Sequence, residues 1–316
     1  MKLRIGLLLL LPAALFGQLS PELTSSYWQD PDFRDRFMQT YGTRGEIEPK
    51  VNQEEAAILQ QIMPQLEASN YRLAINTLQA QITPQSSAAL DMVLGNLYFQ
   101  EGNVSAARQA YREAIRKFPN FLRAHQNLGI LEVQNGNFET AIPLLSKTIE
   151  MGIADGDTYG LLAYSFLNQG QYGSAESAYR QALLLDPNNP DWKNGLINAL
   201  LENSKPGEAI AIIEEVIAKD PSKPEFWMVQ ANAYLAMDDR QKAIANLEMV
   251  RRLGKADAQS LMLLGDLYMS GEMADLALTV YKEAIEQDGE ITADKAMRSA
   301  EVLLSQANYD EALEYS

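Results

Sequence analysis

His125 is the only histidine in a chain that contains no cysteine. That pair of counts removes most of the chemistry that side chains assemble on their own. Cys₂His₂ zinc sites, Cys–His nucleophilic catalysis and the His-Glu-x-x-His motif each need residues this chain lacks. A Ser-His-Asp triad would have to use His125, and no Gly-x-Ser-x-Gly elbow is present to carry its serine. The phosphate-binding loops are missing too: there is no Gly-x₄-Gly-Lys-[Ser/Thr], and no Gly-x-Gly-x-x-Gly following a strand. Glu214-Glu215 and Asp238-Asp239 are adjacent carboxylates. Sequence neighbours on a helix or turn diverge, so they read as solvated surface rather than an acid–base pair. Asp186, Asn188 and Asp191 bring oxygens together, but the run lacks the glycine and the final glutamate of a calcium loop. A turn between helices explains it better. No catalytic residue, metal or cofactor is expected.

Two further features have a plain and a functional reading. Asn103-Val104-Ser105 is a formal glycosylation sequon, and the same asparagine suits a helix N-cap, which is the preferred reading. Arg108, Arg112, Arg116 and Lys117 form a basic stripe on one helix face. Such stripes are most often solvated, with an anionic partner or lipid headgroup as the lesser alternative. The chain of 316 residues is 47% hydrophobic and carries a net charge of −16. That charge opposes nucleic-acid binding and favours solubility.

Residues 1–17 have the form of a secretory signal: Lys2 and Arg4, then an apolar run from Ile5 to Phe16. The run is short for a bilayer, which takes about 20 residues. Cleavage after Gly17 would lower the net charge from −16 to −18, because Lys2 and Arg4 leave with the segment. An uncleaved anchor is the alternative, and it is the only membrane contact expected. The absence of cysteine leaves an exported protein to rely on packing without disulfides. Residues 18–51 do not repeat; Asp30-Pro31 starts a short helix with Phe33, Phe37 and Tyr41 on one stripe, ended by Gly42 and Gly45.

Beyond this the chain is periodic. Ala107, Ala141, Ala175, Ala209, Ala243 and Ala277 follow one another at intervals of 34, and Ala312 follows at 35. A small slot in the preceding helix holds Gly95, Gly129, Ala163, Ile197, Ala231 and Gly265. The large slot opposite holds Tyr111, Leu145, Tyr179, Ile213, Leu247 and Tyr281. Large against small is how helices interdigitate. Ile197 predicts a looser repeat, and Glu132 stands where an apolar residue is expected. Gly102, Gly136 and Gly170 mark turns within units; Pro119, Pro187 and Pro221 mark breaks between them. The spacing predicts helix–turn–helix units at 88–121, 122–155, 156–189, 190–223, 224–257 and 258–291. A degenerate unit at 52–87 is kinked by Pro64, a partial one covers 292–316, and Pro143 should bend its helix.

These residues resemble the tetratricopeptide repeat family over about residues 52–316. The resemblance implies an all-α fold, a right-handed α-solenoid of antiparallel helix–turn–helix units with a concave groove. It also implies protein or peptide binding rather than catalysis. Carried over position by position, the groove is lined by Asn96, Phe99, Gln126, Tyr164, Asn194, Asn198, Met228, Asn232, Met262 and Asp266, among others. Asparagine offers a peptide backbone both a donor and an acceptor, and methionine offers adaptable apolar contact. The competing role for such asparagines is bonding between neighbouring helices. Some family members clamp a chaperone's terminal carboxylate with several basic groove residues. Here only Arg123 is basic, which speaks against that function.

The resulting expectation is an exported, non-catalytic protein-interaction scaffold, periplasmic or extracellular, most naturally in a bacterial envelope. Two alternatives remain open. The chain is the N-terminal repeat region of a larger protein, an enzyme among the options, or it self-associates through an apolar C-terminal end that no polar helix caps.

Overall fold

The computed structural model describes residues 48–313 apart from 153, 289–291 and 307. The signal at 1–17 and the aromatic stripe of Phe33, Phe37 and Tyr41 lie outside the described residues. Every regular element among the described residues is an α-helix. In order these are α1 (Gln53–Glu67), α2 (Tyr71–Gln79), α3 (Ala88–Gln100), α4 (Val104–Lys117), α5 (Leu122–Gln134), α6 (Phe138–Glu150), α7 (Gly156–Asn168) and α8 (Tyr172–Leu185). There follow α9 (Pro190–Glu202), α10 (Pro206–Lys219), α11 (Pro224–Ala236), α12 (Arg240–Arg252), α13 (Ala258–Ser270), α14 (Ala274–Asp288), α15 (Ala293–Ser305) and α16 (Tyr309–Leu313). The described chain forms two compact units, divided between Ala199 and Leu200.

Short polar side chains start the helices by accepting from backbone N–H groups that have no helical partner. Asn52 and Glu55 form a reciprocal capping box, at 2.9 and 3.0 Å. The other Glu55 oxygen accepts from Ser87 N at 2.6 Å, joining the start of α1 to the start of α3. Asn103 accepts from Ala106 N at 3.1 Å, the capping role expected of it. Asp155 accepts from Thr158 N at 2.7 Å and Asp257 from Ser260 N at 2.8 Å.

The turns within pairs share one conformation. Gly102, Gly136 and Gly170 adopt φ of +74°, +72° and +69°. The residue after each donates back to Tyr98, Glu132 or Phe166 O at 2.8–2.9 Å, closing a left-handed helix cap. In later units the same register is occupied by Ser204, Asp238 and Glu272, with φ of +58°, +58° and +60°. Their successors make the same bonds, to Leu200, Tyr234 and Tyr268 O. The packing therefore imposes the left-handed residue even where no glycine supplies it.

Small meets large where the small slot is glycine. A Cβ placed on Gly95 would lie 2.5 Å from Tyr111 Cε1, and one on Gly265 would lie 2.1 Å from Tyr281 Cε1. Each glycine is a true close approach. In the first unit one core gathers Leu59, Ile62, Leu78, Val93 and Leu97, and a second gathers Tyr111, Phe121, Leu128 and Leu131. In the second unit a core runs from Ile210 through Leu247, Leu264 and Tyr281 to Val302. Ile197 is buried, two residues before the division between the units. α1 and α6 run on through Pro64 and Pro143.

Glu132 is no defect. Its side chain is 1% exposed, and Arg108 reaches it from α4 through Nε at 2.7 Å and Nη2 at 3.0 Å. Asn137 Nδ2 adds a third donor at 2.7 Å. Burial works to raise the carboxyl pKa, yet these donors leave it below its ordinary value.

Candidate binding surface

The ten residues expected to line the groove divide between the two units, and their surroundings differ. In the first unit Asn96 is buried on α3, and its oxygen is occupied. Tyr111 Oη donates to it at 2.7 Å and Asn127 Nδ2 at 2.8 Å, so this asparagine ties α3 to α4 and α5. Phe99 is half-buried against the core beside it. Gln126 on α5 donates to Thr158 Oγ1 of α7 at 3.3 Å. Tyr164 on α7 packs edge-on against Phe138, ring centres 5.5 Å apart. Asn194 and Asn198 stand half-buried on α9, and neither side chain makes a hydrogen bond among the described residues.

In the second unit Met228 is half-buried against the core, and Met262 is 8% exposed within it. Asp266 accepts from Tyr281 Oη at 2.7 Å and pairs with Arg298, repeating the arrangement of Asn96 one helix pair to the next. Asn232 is half-buried, and its side chain has no hydrogen-bond partner among the described residues. Three asparagines thus keep donor and acceptor available, while Asn96 and Asp266 are committed to holding helices together.

Charge divides the first unit further. Arg123, Asp157 and Asp191 occupy one register position, 34 residues apart, at the starts of α5, α7 and α9. Arg123 is paired with Glu48, Nε to Oε1 at 2.9 Å. Burial still pushes the Glu48 carboxyl up, against the opposing pull of Arg123. Asp157 and Asp191 have no Lys or Arg in an ion pair among the described residues. Desolvation raises both carboxyl pKa values, with Asp155 and Asp186 pushing Asp157 further in the same direction.

The basic stripe on α4 is not a free cationic surface. Arg108 and Arg112 turn to Glu132, Arg116 pairs with Glu113, and Lys117 is buried against Asp91 at 2.7 Å, donating also to Thr83 O at 3.0 Å. An open recess of about 490 Å³ beside it is lined by Arg108, Arg112, Glu132, Phe138 and Glu139, a mixed set of charges. His125 is buried, its Nδ1 3.0 Å from Phe121 O, in a packing role. Asp186 accepts from Asn189 Nδ2 at 3.0 Å, and Asn189 Oδ1 caps Asp191 N at 3.0 Å, so this run is an ordinary turn.

Reading position by position, one lining residue escaped notice because it has no side chain. Gly160 shares the α7 face of Asp157 and Tyr164, at helical spacings of three and four, and a Cβ there would lie 2.3 Å from Trp192 Cε2. The indole of Trp192 fills that position from α9. A glycine where neighbouring units carry larger residues was the available signal.

Models described as "Tetratricopeptide repeat" match residues 65–120, 92–156, 166–233, 200–267 and 258–290. Among solved structures, a tetratricopeptide repeat protein from Parabacteroides merdae is 16% identical. The likeness covers 80% of this chain and 100% of that one, with a TM-score of 0.50. YrrB, described as a TPR protein with an unusual peptide-binding site, is 18% identical over 55% of this chain and 90% of its own, with a TM-score of 0.51. Among curated proteins, the Hsp70-Hsp90 organising protein of Plasmodium falciparum is 29% identical over 109 residues. The match spans 32% of this chain and only 19% of that protein. The fold is therefore the all-α solenoid that the resemblance implied, and the chain belongs to the tetratricopeptide repeat family.

Proposed function

We propose that this protein is a non-catalytic scaffold of the cell envelope or extracellular space, and that its first-helix faces bind an extended segment of a partner protein. Proteins of this family serve as protein-interaction scaffolds, and the fold is generally non-enzymatic. The observation that carries the reading is the set of half-buried asparagines with unused amides. Asn194 and Asn198 lie on α9 of the first unit, and Asn232 on α11 of the second. An amide that reaches the surface and bonds nothing within the protein keeps donor and acceptor free for a ligand, and an extended backbone presents the matching acceptor and donor. Asn96 in the first unit and Asp266 in the second are each committed to bonds between helices of their own unit. A carboxylate clamp is not supported: Arg123, the one basic residue among the proposed lining positions, is paired with Glu48. Export rests on Lys2, Arg4 and the apolar run that follows them.

The test is affinity capture from the native host with wild type and with Asn194→Ala/Asn198→Ala. The expected result is loss of at least one partner from the variant, and equal capture would overturn the first-unit face. Fractionation with sequencing of the mature N-terminus checks export; recovery in the cytoplasm with Lys2 retained would overturn it.

A second reading has its own support. On α15 and α16, Met297, Leu304, Tyr309 and Leu313 are all exposed, an unusual concentration of apolar surface. Self-association through this face predicts oligomers in sedimentation that Leu304→Glu/Leu313→Glu disperses. A monomer at high concentration would exclude it.

A further inference from the structure

We propose that the first-helix face of the first unit has a built-in occupant: residues 18–47 of this chain lie over α7 and α9, held by the Glu48–Arg123 pair, and a partner segment binds by displacing them. The inference rests on the groove reading above for what does the displacing. It concerns the first unit alone.

The first observation is the route of the chain into α1. Val51 packs against the core of Leu59, Leu78 and Leu90, and Asn52 caps α1. One residue earlier than Lys50, Pro49 is buried, and Glu48 is 5% exposed. Both Glu48 oxygens are taken by Arg123, Oε1 by Nε at 2.9 Å and Oε2 by Nη2 at 3.3 Å. Arg123 is the second residue of α5. Between Asn52 and Glu48 the chain therefore passes from the start of α1 to the start of α5, two first helices along. That is the course an extended ligand of this face would take. Arg123 shares its helix face with Gln126, three residues on, so a lining position is already filled from within the chain.

The second observation is what lies ahead of that anchor. A buried carboxylate gripped by both arms of an arginine fixes where the preceding chain begins. Continued in the same direction, α7 and α9 stand one and two helix widths beyond α5, roughly 20 Å in all. Extended chain covers about 3.3 Å per residue, so about seven residues reach α9, and residues 18–47 exceed that several times over. Their chemistry suits the face. Phe33, Phe37, Tyr41 and Ile47 are apolar groups that need cover. Their backbone offers donors and acceptors to Asn194 and Asn198, whose amides bond nothing among the described residues. Tethering gives such an occupant an effective concentration on the order of millimolar, which a partner has to overcome.

The test places a photo-crosslinker at Asn198 in the purified full chain, with Gln109 on the exposed side of α4 as the reference position. An equal mixture of isotope-labelled and unlabelled protein separates adducts within one chain from adducts between copies, and mass spectrometry maps them. The expected result is same-chain adducts from Asn198 to residues 18–47 and none from Gln109. Glu48→Gln should lower their yield severalfold, because losing one charge-assisted bond shifts an equilibrium by about tenfold or more. Glu150→Gln, which removes a carboxylate from the exposed pair with Lys147, should leave the yield unchanged. Circular dichroism confirms that each variant is folded. In the native host, partner adducts from Asn198 should rise in Glu48→Gln as same-chain adducts fall; a fall in both would overturn the displacement. No adducts to residues 18–47, adducts only between copies, or an undiminished yield in Glu48→Gln would overturn the proposal and leave the groove reading intact. Equal capture by Asn194→Ala/Asn198→Ala would instead overturn the groove reading, and the displacement with it, while the same-chain adducts stand.

Discussion

Glu132 remains ionised in a place that removes nearly all its water. Arg108, Arg112 and Asn137 together replace the lost hydration. Removing one partner of such a pair leaves a buried charge exposed to its full desolvation cost. Arg108→Ala should therefore destabilise the protein by about 2–4 kcal/mol, less than an isolated pair would lose at its limit because Asn137 and Arg112 remain. Glu132→Leu should cost less than Arg108→Ala, and urea unfolding at neutral pH would order the two. The pH dependence has a definite sign. The folded-state pKa of Glu132 lies below its ordinary value, so its contribution is present above the unfolded pKa and disappears as pH falls through the folded one. Asp157 behaves oppositely. Burial, then Asp155 and Asp186, raise its pKa, so its ionised form opposes folding above that pKa, and the penalty vanishes in acid where both states are protonated. Asp157→Asn should raise the melting temperature at pH 7 and leave it unchanged at pH about 3, below the usual aspartate value. An unchanged or lower melting temperature at pH 7 would contradict this account of the site.

At the scale of the helix pair, two constraints recur. The first is the close approach of small and large residues. Gly265→Ala would drive a methyl group into the Tyr281 ring, and overpacking of this kind typically costs about 1–3 kcal/mol. Thermal or urea unfolding would read it, and a neutral result would mean the ring moves freely aside. The second is the left-handed residue that closes each turn. Glu272, with φ of +60°, holds a conformation that side chains with a Cβ disfavour. Glu272→Gly should stabilise by about 0.5–1 kcal/mol after the added flexibility of the unfolded chain is subtracted. Asp238→Gly should gain less, since aspartate tolerates this region better than glutamate. These turns also explain why the repeats were readable. Gly102, Gly136 and Gly170 announce the register, and the 34-residue alanine spacing carries it through units where Ser204, Asp238 and Glu272 replace glycine.

Across the molecule, periodicity made the fold legible because each unit packs mainly on its neighbours in sequence. What periodicity could not show were the bonds that depend on which rotamer a long side chain takes. Glu132 looked misplaced because its arginine lies 24 residues earlier on another helix. The α4 stripe looked solvated because its spacing says nothing of Asp91, Glu113 and Glu132 opposite. Asn96, Asn198 and Asn232 looked equivalent by position, yet Tyr111 and Asn127 occupy only the first. Trp192 could be placed over Gly160 only by seeing the two helices together.

The central claim is that partners are held by the first-helix faces. Site-specific photo-crosslinking in the native host tests it most directly, with the crosslinker placed in turn at Asn198, at Asn232 and at Gln109 on the exposed side of α4. The account predicts partner adducts from at least one of the two asparagine positions and none from Gln109. Adducts from Gln109 alone would contradict it.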